Sequence, residues 1–214
     1  NPLRGEPAPQ GTNVWVAYDK EAIYFAFRCL DPDPANIRTT ISRRDNTWND
    51  DWVAVSLDSS GAGQVAYHMF VNPAGIQMDA LQTSNEDTAP DWIWQSAGRI
   101  DEEGYVVEMR VPLESIRFKG GDEVRMNVMF FRRNSRLGIS WAWPEIAPGK
   151  WVFDSHVPVV FDRLEQPLLL EVIPSATMST NQSRAAGNSW IDPVSKGNFG
   201  ASVKYGITST ITLD

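Results

Sequence analysis

From Val14 to Phe161 the chain repeatedly alternates apolar and polar positions with a period of two, the spacing of half-buried β-strands rather than helices. The clearest case is Tyr105 to Val111. It sets Tyr105, Val107, Met109 and Val111 on one face, and Val106, Glu108 and Arg110 on the other. It stops at Pro112, which has no N–H to give to a ladder. With Trp92 to Ile100 and an acidic turn closed by Gly104, it predicts a hairpin. Ala22 to Leu30 behaves alike, with Ile23, Phe25, Phe27 and Cys29 opposite Tyr24, Ala26 and Arg28. Asp19-Lys-Glu21 joins it to Val14–Tyr18, and Asp31-Pro-Asp-Pro34 ends it, because residues before proline avoid the helical region.

Ile37 to Asn49 is polar and irregular. Trp52 to Leu57 is the next strand, closed by Asp58-Ser-Ser-Gly-Ala-Gly63. Val65–Val71 and Ile76–Gln82 flank Asn72-Pro-Ala-Gly75, a turn with proline and glycine in favoured places. Arg125–Arg133 and Ser140–Trp143 follow, Leu113–Ile116 reads as one helical turn, and Trp151–Phe161, broken by Pro158, reads as edge structure. Many short strands and almost no helical periodicity predict an all-β protein, an antiparallel β-sandwich.

After Pro167 the character changes. Leu168–Pro174 is one apolar strand, and Ser175–Ser195 reads as a poorly ordered polar stretch. Then Phe199, Ala201, Val203, Tyr205 and Ile207 alternate with Gly200, Ser202, Lys204, Gly206 and Thr208. One apolar and one small or polar face is the signature of a membrane-barrel strand, although the edge strand of a soluble sheet reads the same way. The expected division is a sandwich over 1–166, then a β-strand extension over 167–214, a linker and the start of a barrel-like region.

The net charge of −8 leaves no basic footprint for nucleic acid. A single cysteine, Cys29, allows neither an internal disulfide nor a Cys-x-x-Cys motif, and its alternating strand reads it as a small buried hydrophobe. Two histidines are too few for a histidine-rich zinc site. Nine tryptophans are more than a sandwich core of this size needs, so some are expected at a surface. Indole faces pack on the C–H face of a sugar while charged and amide groups take its hydroxyls. Trp48 has suitable company in Arg43, Arg44, Asn49, Asp50 and Asp51, and Trp92, Trp94, Trp143 and Trp151 are further stacking candidates. Trp15 and Trp52 read as core. Asp50 and Asp51 are adjacent at a strand start and do not face each other, unlike the carboxyl pair of a glycosidase, so catalysis is not indicated.

Four ordered segments carry a resemblance. Tyr18-Asp-Lys-Glu-Ala-Ile-Tyr-Phe-Ala-Phe-Arg28 resembles the Tyr-Asp-x-x-x-Leu-Tyr opening of family 9 carbohydrate-binding modules. Trp48-Asn-Asp-Asp-Trp-Val-Ala-Val-Ser-Leu-Asp58 resembles their Trp-x-Asp-Asp-x-Val-x-Val-x-Leu-Asp strand. Phe70-Val-Asn-Pro-Ala-Gly75 and Gly104-Tyr-Val-Val-Glu-Met-Arg-Val-Pro112 resemble two further family segments. The tail resembles the start of an uncharacterised outer-membrane-barrel-like region that follows such modules in bacterial proteins. The resemblance implies a first strand upstream of Asn1, a place in the periplasm, outer membrane or cell envelope, and a glycan partner. It places Trp48 in a matching segment and no second stacking residue; the site expected from the residues themselves stacks sugar on Trp48 and one of Trp92, Trp94 or Trp143, with Arg43, Arg44 and Asp51 at its hydroxyls. The alternative is an interaction domain that caps or assembles with an outer-membrane β-barrel. Related modules hold structural calcium, and Asp31, Asp33, Asp50 and Asp58 supply hard oxygens in loops.

Overall fold

A computed structural model describes residues 7–146, 149–150, 152–167, 170–187, 189–206 and 212–213. The chain forms two compact units, Asn1–Pro167 and Leu168–Asp214. In the first, the strands are β1 (Thr12–Tyr18), β2 (Ala22–Leu30), β3 (Trp52–Asp58), β4 (Ala66–Val71), β5 (Gln77–Gln82) and β6 (Glu86–Asp87). They continue with β7 (Gln95–Asp101), β8 (Gly104–Pro112), β9 (Gly121–Asn134), β10 (Ile139–Trp143) and β11 (Val157–Leu164). The expected turn after Pro112 is a short 3-10 segment, Leu113–Ser115.

Two antiparallel sheets result. One runs β1-β2-β8-β7. The other runs β10-β9-β3-β4-β5-β6, with β11 also on β9. The alternation sorts side chains as expected: Ile23, Phe25, Phe27 and Cys29 meet Val53, Val55, Leu57, Tyr105, Val107 and Met109 in one buried core between the sheets. This is a β-sandwich. Cys29 lies in that core, where burial pushes its thiol up to about 11, far from the reactive thiolate range.

The turn Asn72–Gly75 shows why its residue types are needed. Gly75 takes φ +82°, and the Asn72 carboxamide oxygen accepts the N–H groups of Ala74 and Ile76. The Asn72 amide donates to Thr40 O and Asp50 Oδ2, pinning the β2–β3 loop to this turn.

The second unit is a three-stranded antiparallel sheet of β12 (Leu170–Asn181), β13 (Val194–Gly206) and β14 (Thr212–Leu213). The two ends of the stretch expected to be poorly ordered, Ser175–Asn181 and Val194–Ser195, are strand. β12 continues past Pro174 to Asn181, and its register with β13 is unbroken over twelve pairs. Pro174 is tolerated because β12 pairs on one side only among the described residues.

Candidate functional site

The loop between β2 and β3 carries most of the polar candidates, and packing uses them inside the protein. Arg44 grips Asp79 through two nitrogens, donates to Gln77 Oε1 and Trp92 O, and pairs with Asp91 at 3.1 Å. The Asp79 carboxylate is buried and also accepts the N–H of Trp92. Arg44 is therefore a clamp on β5 rather than a hydroxyl ligand. Asp51 is likewise no rim residue: it is buried, and Oδ1 accepts the N–H of Ser135 at 2.8 Å while Oδ2 has no partner. Arg43 is exposed and makes no side-chain hydrogen bond or ion pair among the described residues. Asp79→Asn keeps the shape but removes the charge facing Arg44, and is expected to cost about 2 kcal/mol in urea unfolding.

Burial raises the Asp51 carboxyl above its ordinary 3.8. The folded state thus binds this proton more tightly than the unfolded chain. Asp51 then favours folding least once pH has risen above its raised folded value, and its penalty disappears below 3.8. Stability of Asp51→Asn, measured against pH, should lack this decline.

Trp48 itself is 39% exposed and rests its edge on Phe70, with ring centroids 5.1 Å apart. Phe70 belongs to the face of the larger sheet that points away from the core. Registers across β10, β9, β3, β4 and β5 align Ala142, Phe131, Ala54, Phe70 and Met78 in one row of that face. One side of this row carries the pair Trp52 and Arg133, the other Met129, Ser56, His68 and Ala80. Ala54, Phe70, Met78 and Ala80 are buried, with Trp52 and Phe131 packed against them, so an apolar floor exists outside the main core.

Polar atoms sit around this floor without partners. Trp52 Nε1, Arg133 Nε and His68 Nε2 are buried and make no hydrogen bond. His68 is 7% exposed and donates Nδ1–H to Glu86 at 2.9 Å, which orients the ring. Beside it, Ser56 Oγ bonds His156 Nε2 at 2.8 Å, and His156 Nδ1 bonds Val152 O at 3.0 Å. Burial lowers the His156 pKa. This Ser–His pair resembles a nucleophile and base, but Ser56 is completely buried and no substrate carbonyl can reach it. An aromatic floor edged by unpaired donors can hold a ring with one apolar face and polar edges.

The other aromatic candidates lie elsewhere. Trp94 is 4% exposed within the main core and has no face for a ligand. Trp92 is half-buried, packs against Tyr67 at 4.9 Å and is tied to Asp79 through its N–H, so it too is structural. Trp143 is 59% exposed and stacks on Phe130, on the inward-facing side of β10 and not on the Trp48 face. Trp151 lies outside the described residues. Trp15, expected in the core, is 57% exposed because it pairs with Ala26, on the face of its sheet opposite the core residues Phe25 and Phe27. Trp15, Trp141 and Trp143 border a groove of about 870 Å³ between β1 and the β9–β10–β11 edge, walled by Val14, Val16, Val157 and Val159.

The aspartates proposed for calcium do not converge. Asp31 and Asp33 share Arg136. Asp50 accepts from Thr40 and Asn72, and Asp58 from Ser60, Gly61 and Gly63. Among the described residues the carboxylates that do meet are Asp45, Asp79 and Asp91, with oxygens within 4.8 Å, and the Arg44 guanidinium already pairs with two of them.

The sequence model of the "Carbohydrate family 9 binding domain-like" family matches residues 5–152. The chain belongs to this family. Among curated proteins none matches. The crystal structure of a presumptive carbohydrate-binding protein from Bacteroides uniformis is similar at 17% identity and a TM-score of 0.56, over 72% of this chain and 79% of that one. A family 9 module from Caldicellulosiruptor kristjanssonii in complex with cellotriose is similar at 16% identity, with a TM-score of 0.44 over 64% of this chain and 66% of that one. Its complex with glucose gives 17%, 0.43, 64% and 67%. The family match and the sandwich agree. The matched residues lie within the first unit. Of its candidate face, the sequence reading reached Trp48 but not Trp52, Phe70, His68, Phe131 or Arg133. Strand parity was the available signal: residues 52, 54 and 56 alternate with the core positions 53, 55 and 57.

Proposed function

We propose that the first unit is a non-catalytic carbohydrate-binding domain, and that its contact surface is the Trp48 face. The observation that carries this reading is a half-exposed indole over an apolar floor edged by buried, unpaired Trp52, Arg133 and His68 nitrogens. A pyranose lays its C–H face on Trp48, and its hydroxyls meet the partly exposed end of the Arg133 side chain. Family membership supports the ligand class. Relatives named for cellotriose and glucose complexes make glucose and cello-oligosaccharides sensible first probes. Titration by isothermal calorimetry tests it: binding is expected for the parent, with Trp48→Ala weakening it at least about tenfold, or about 1.4 kcal/mol. Unchanged affinity in Trp48→Ala would sink the proposed surface.

A second reading, assembly at a bacterial outer membrane, is favoured by the β12–β13 hairpin. Val172, Ala176, Met178, Phe199, Ala201 and Val203 share one of its faces, and Ser175, Thr177, Ser179, Asn198, Gly200 and Ser202 the other. The apolar face is exposed, Phe199 at 90%. Lipid outside and polar lumen inside would use both faces of such strands. The edge of β1 that pairs with no strand among the described residues, beside its apolar groove, offers a strand-pairing site to the same kind of assembly. The full chain is expected to float with phosphatidylcholine vesicles, and Phe199→Asp to float less. Equal recovery of both from the lipid fraction argues against the membrane role.

A further inference from the structure

Resting on the sugar-binding reading above, the structure assigns the Trp48 face a preference for sugars that carry a carboxylate, such as hexuronates, over neutral hexoses. The reason is Arg133. It stands directly opposite Trp52 in the β3–β9 register, on the same side of the sheet as Phe131 and Phe70. Its side chain is half-buried, yet it forms no hydrogen bond or ion pair among the described residues, and Nε is shut away from solvent with no acceptor.

That is anomalous in this molecule. The chain carries 27 acidic against 19 basic side chains, so carboxylates are plentiful. Arg28, Arg44, Arg110 and Arg136 are each paired with one or two of them, and the buried Arg132 gives both terminal nitrogens to neutral acceptors, leaving only Nε without a partner. A half-buried guanidinium left without an acceptor is costly unless something from outside supplies one. Carboxylates of this face are engaged elsewhere: Glu86, across the aromatic row, by His68, Asp58 by the Ser60, Gly61 and Gly63 N–H groups, and Glu123 by Arg125. None of these compensates Arg133. Beside the floor the partly exposed Arg133 side chain is the group that can meet a ligand, because Trp52 Nε1 and His68 Nε2 are shut away from solvent.

A planar fork of donors suits a carboxylate, which it can bind through two parallel hydrogen bonds. A hexuronate brings that group at the edge of a pyranose whose C–H face can lie on Trp48. A neutral hexose offers only a hydroxymethyl there and leaves the guanidinium charge unmatched. The exposed Arg43 belongs to the same loop as Trp48 and adds a second unpaired cation to the approach.

The test compares D-glucuronate, its neutral methyl ester and D-glucose by calorimetry on the full chain at low salt. Glucuronate is expected to bind at least about tenfold more tightly than the ester or glucose, and the margin should shrink at high salt, where a partly exposed ion pair is screened. Arg133→Gln should bring glucuronate down to the level of the ester, while Arg133→Lys, which keeps the charge without the fork, should retain part of the margin. Equal binding of all three sugars by the parent overturns the preference and leaves sugar binding standing. A margin that survives in Arg133→Gln also overturns it. Binding of none of the three contradicts the reading beneath it.

Discussion

Arg132→Ala is expected to cost about 4 kcal/mol in chemical unfolding, a large share of the 5–15 kcal/mol that hold a typical domain together. Arg132 comes from near the end of β9 and points inward, buried between the rings of Tyr105 and Trp141 at 5.3 and 5.0 Å. It has no carboxylate partner. Instead it donates to Gln10 Oε1, Gly11 O, Thr12 Oγ1 and Leu30 O, tying the segment before β1 to the end of β2. Alanine would remove all four bonds, leaving Gln10 Oε1 only Asn134 and Gly11 O only the Leu30 N–H, and open a cavity between two aromatic rings. Lysine keeps the charge but cannot reach four separated acceptors, so Arg132→Lys should recover less than half of the loss. A measured cost below about 1 kcal/mol for the alanine variant would mean that the network contributes little.

Gly104→Ala is the second large effect, expected at about 3 kcal/mol. Gly104 closes the β7–β8 hairpin at φ +140°, a region that side chains rarely enter. A Cβ there would stand 2.0 Å from Cys29 O and 2.9 Å from Asp31 N. Those atoms are backbone of the neighbouring strand, held in the register that pairs Leu30 with Gly104, so neither can move aside cheaply. The strands would have to separate locally. Gly121→Ala, with nothing within 4 Å of its added Cβ, is a fair control and should change the unfolding midpoint little.

The sandwich was legible because a period of two states directly which side chains go inward, and the hairpin turns carry glycine and proline where the backbone requires them. Ile23, Phe25, Phe27 and Cys29 share a core face as the pattern requires. The fate of polar loop residues was not legible. Nothing local tells that Arg44 reaches thirty-five positions ahead to Asp79, or that Asp51 meets Ser135 eighty-four positions on. Those contacts depend on how the sheets stack, and they turned two expected ligand residues into internal fasteners. Trp15 was misplaced for a different reason: it alternates with Val14 and Val16, which face Phe27 and Phe25, so its own parity sets it beside Ala26 on the outer face. Trp94 misled in the opposite sense, because the short segment before β7 folds its ring inward. Trp52 could have been placed correctly: it has the parity of Ala54 and Ser56, opposite to the core positions Val53, Val55 and Leu57.

The central claim is that sugar contacts the Trp48 face and not the Trp143 groove. The most direct measurement is an NMR titration of the indole N–H signals with a cello-oligosaccharide and with glucuronate, assigned by single Trp→Phe replacements. The account predicts that the Trp48 and Trp52 signals move together and saturably, while those of Trp15, Trp94 and Trp143 stay in place. Movement of Trp15 and Trp143 with Trp48 unmoved would contradict it.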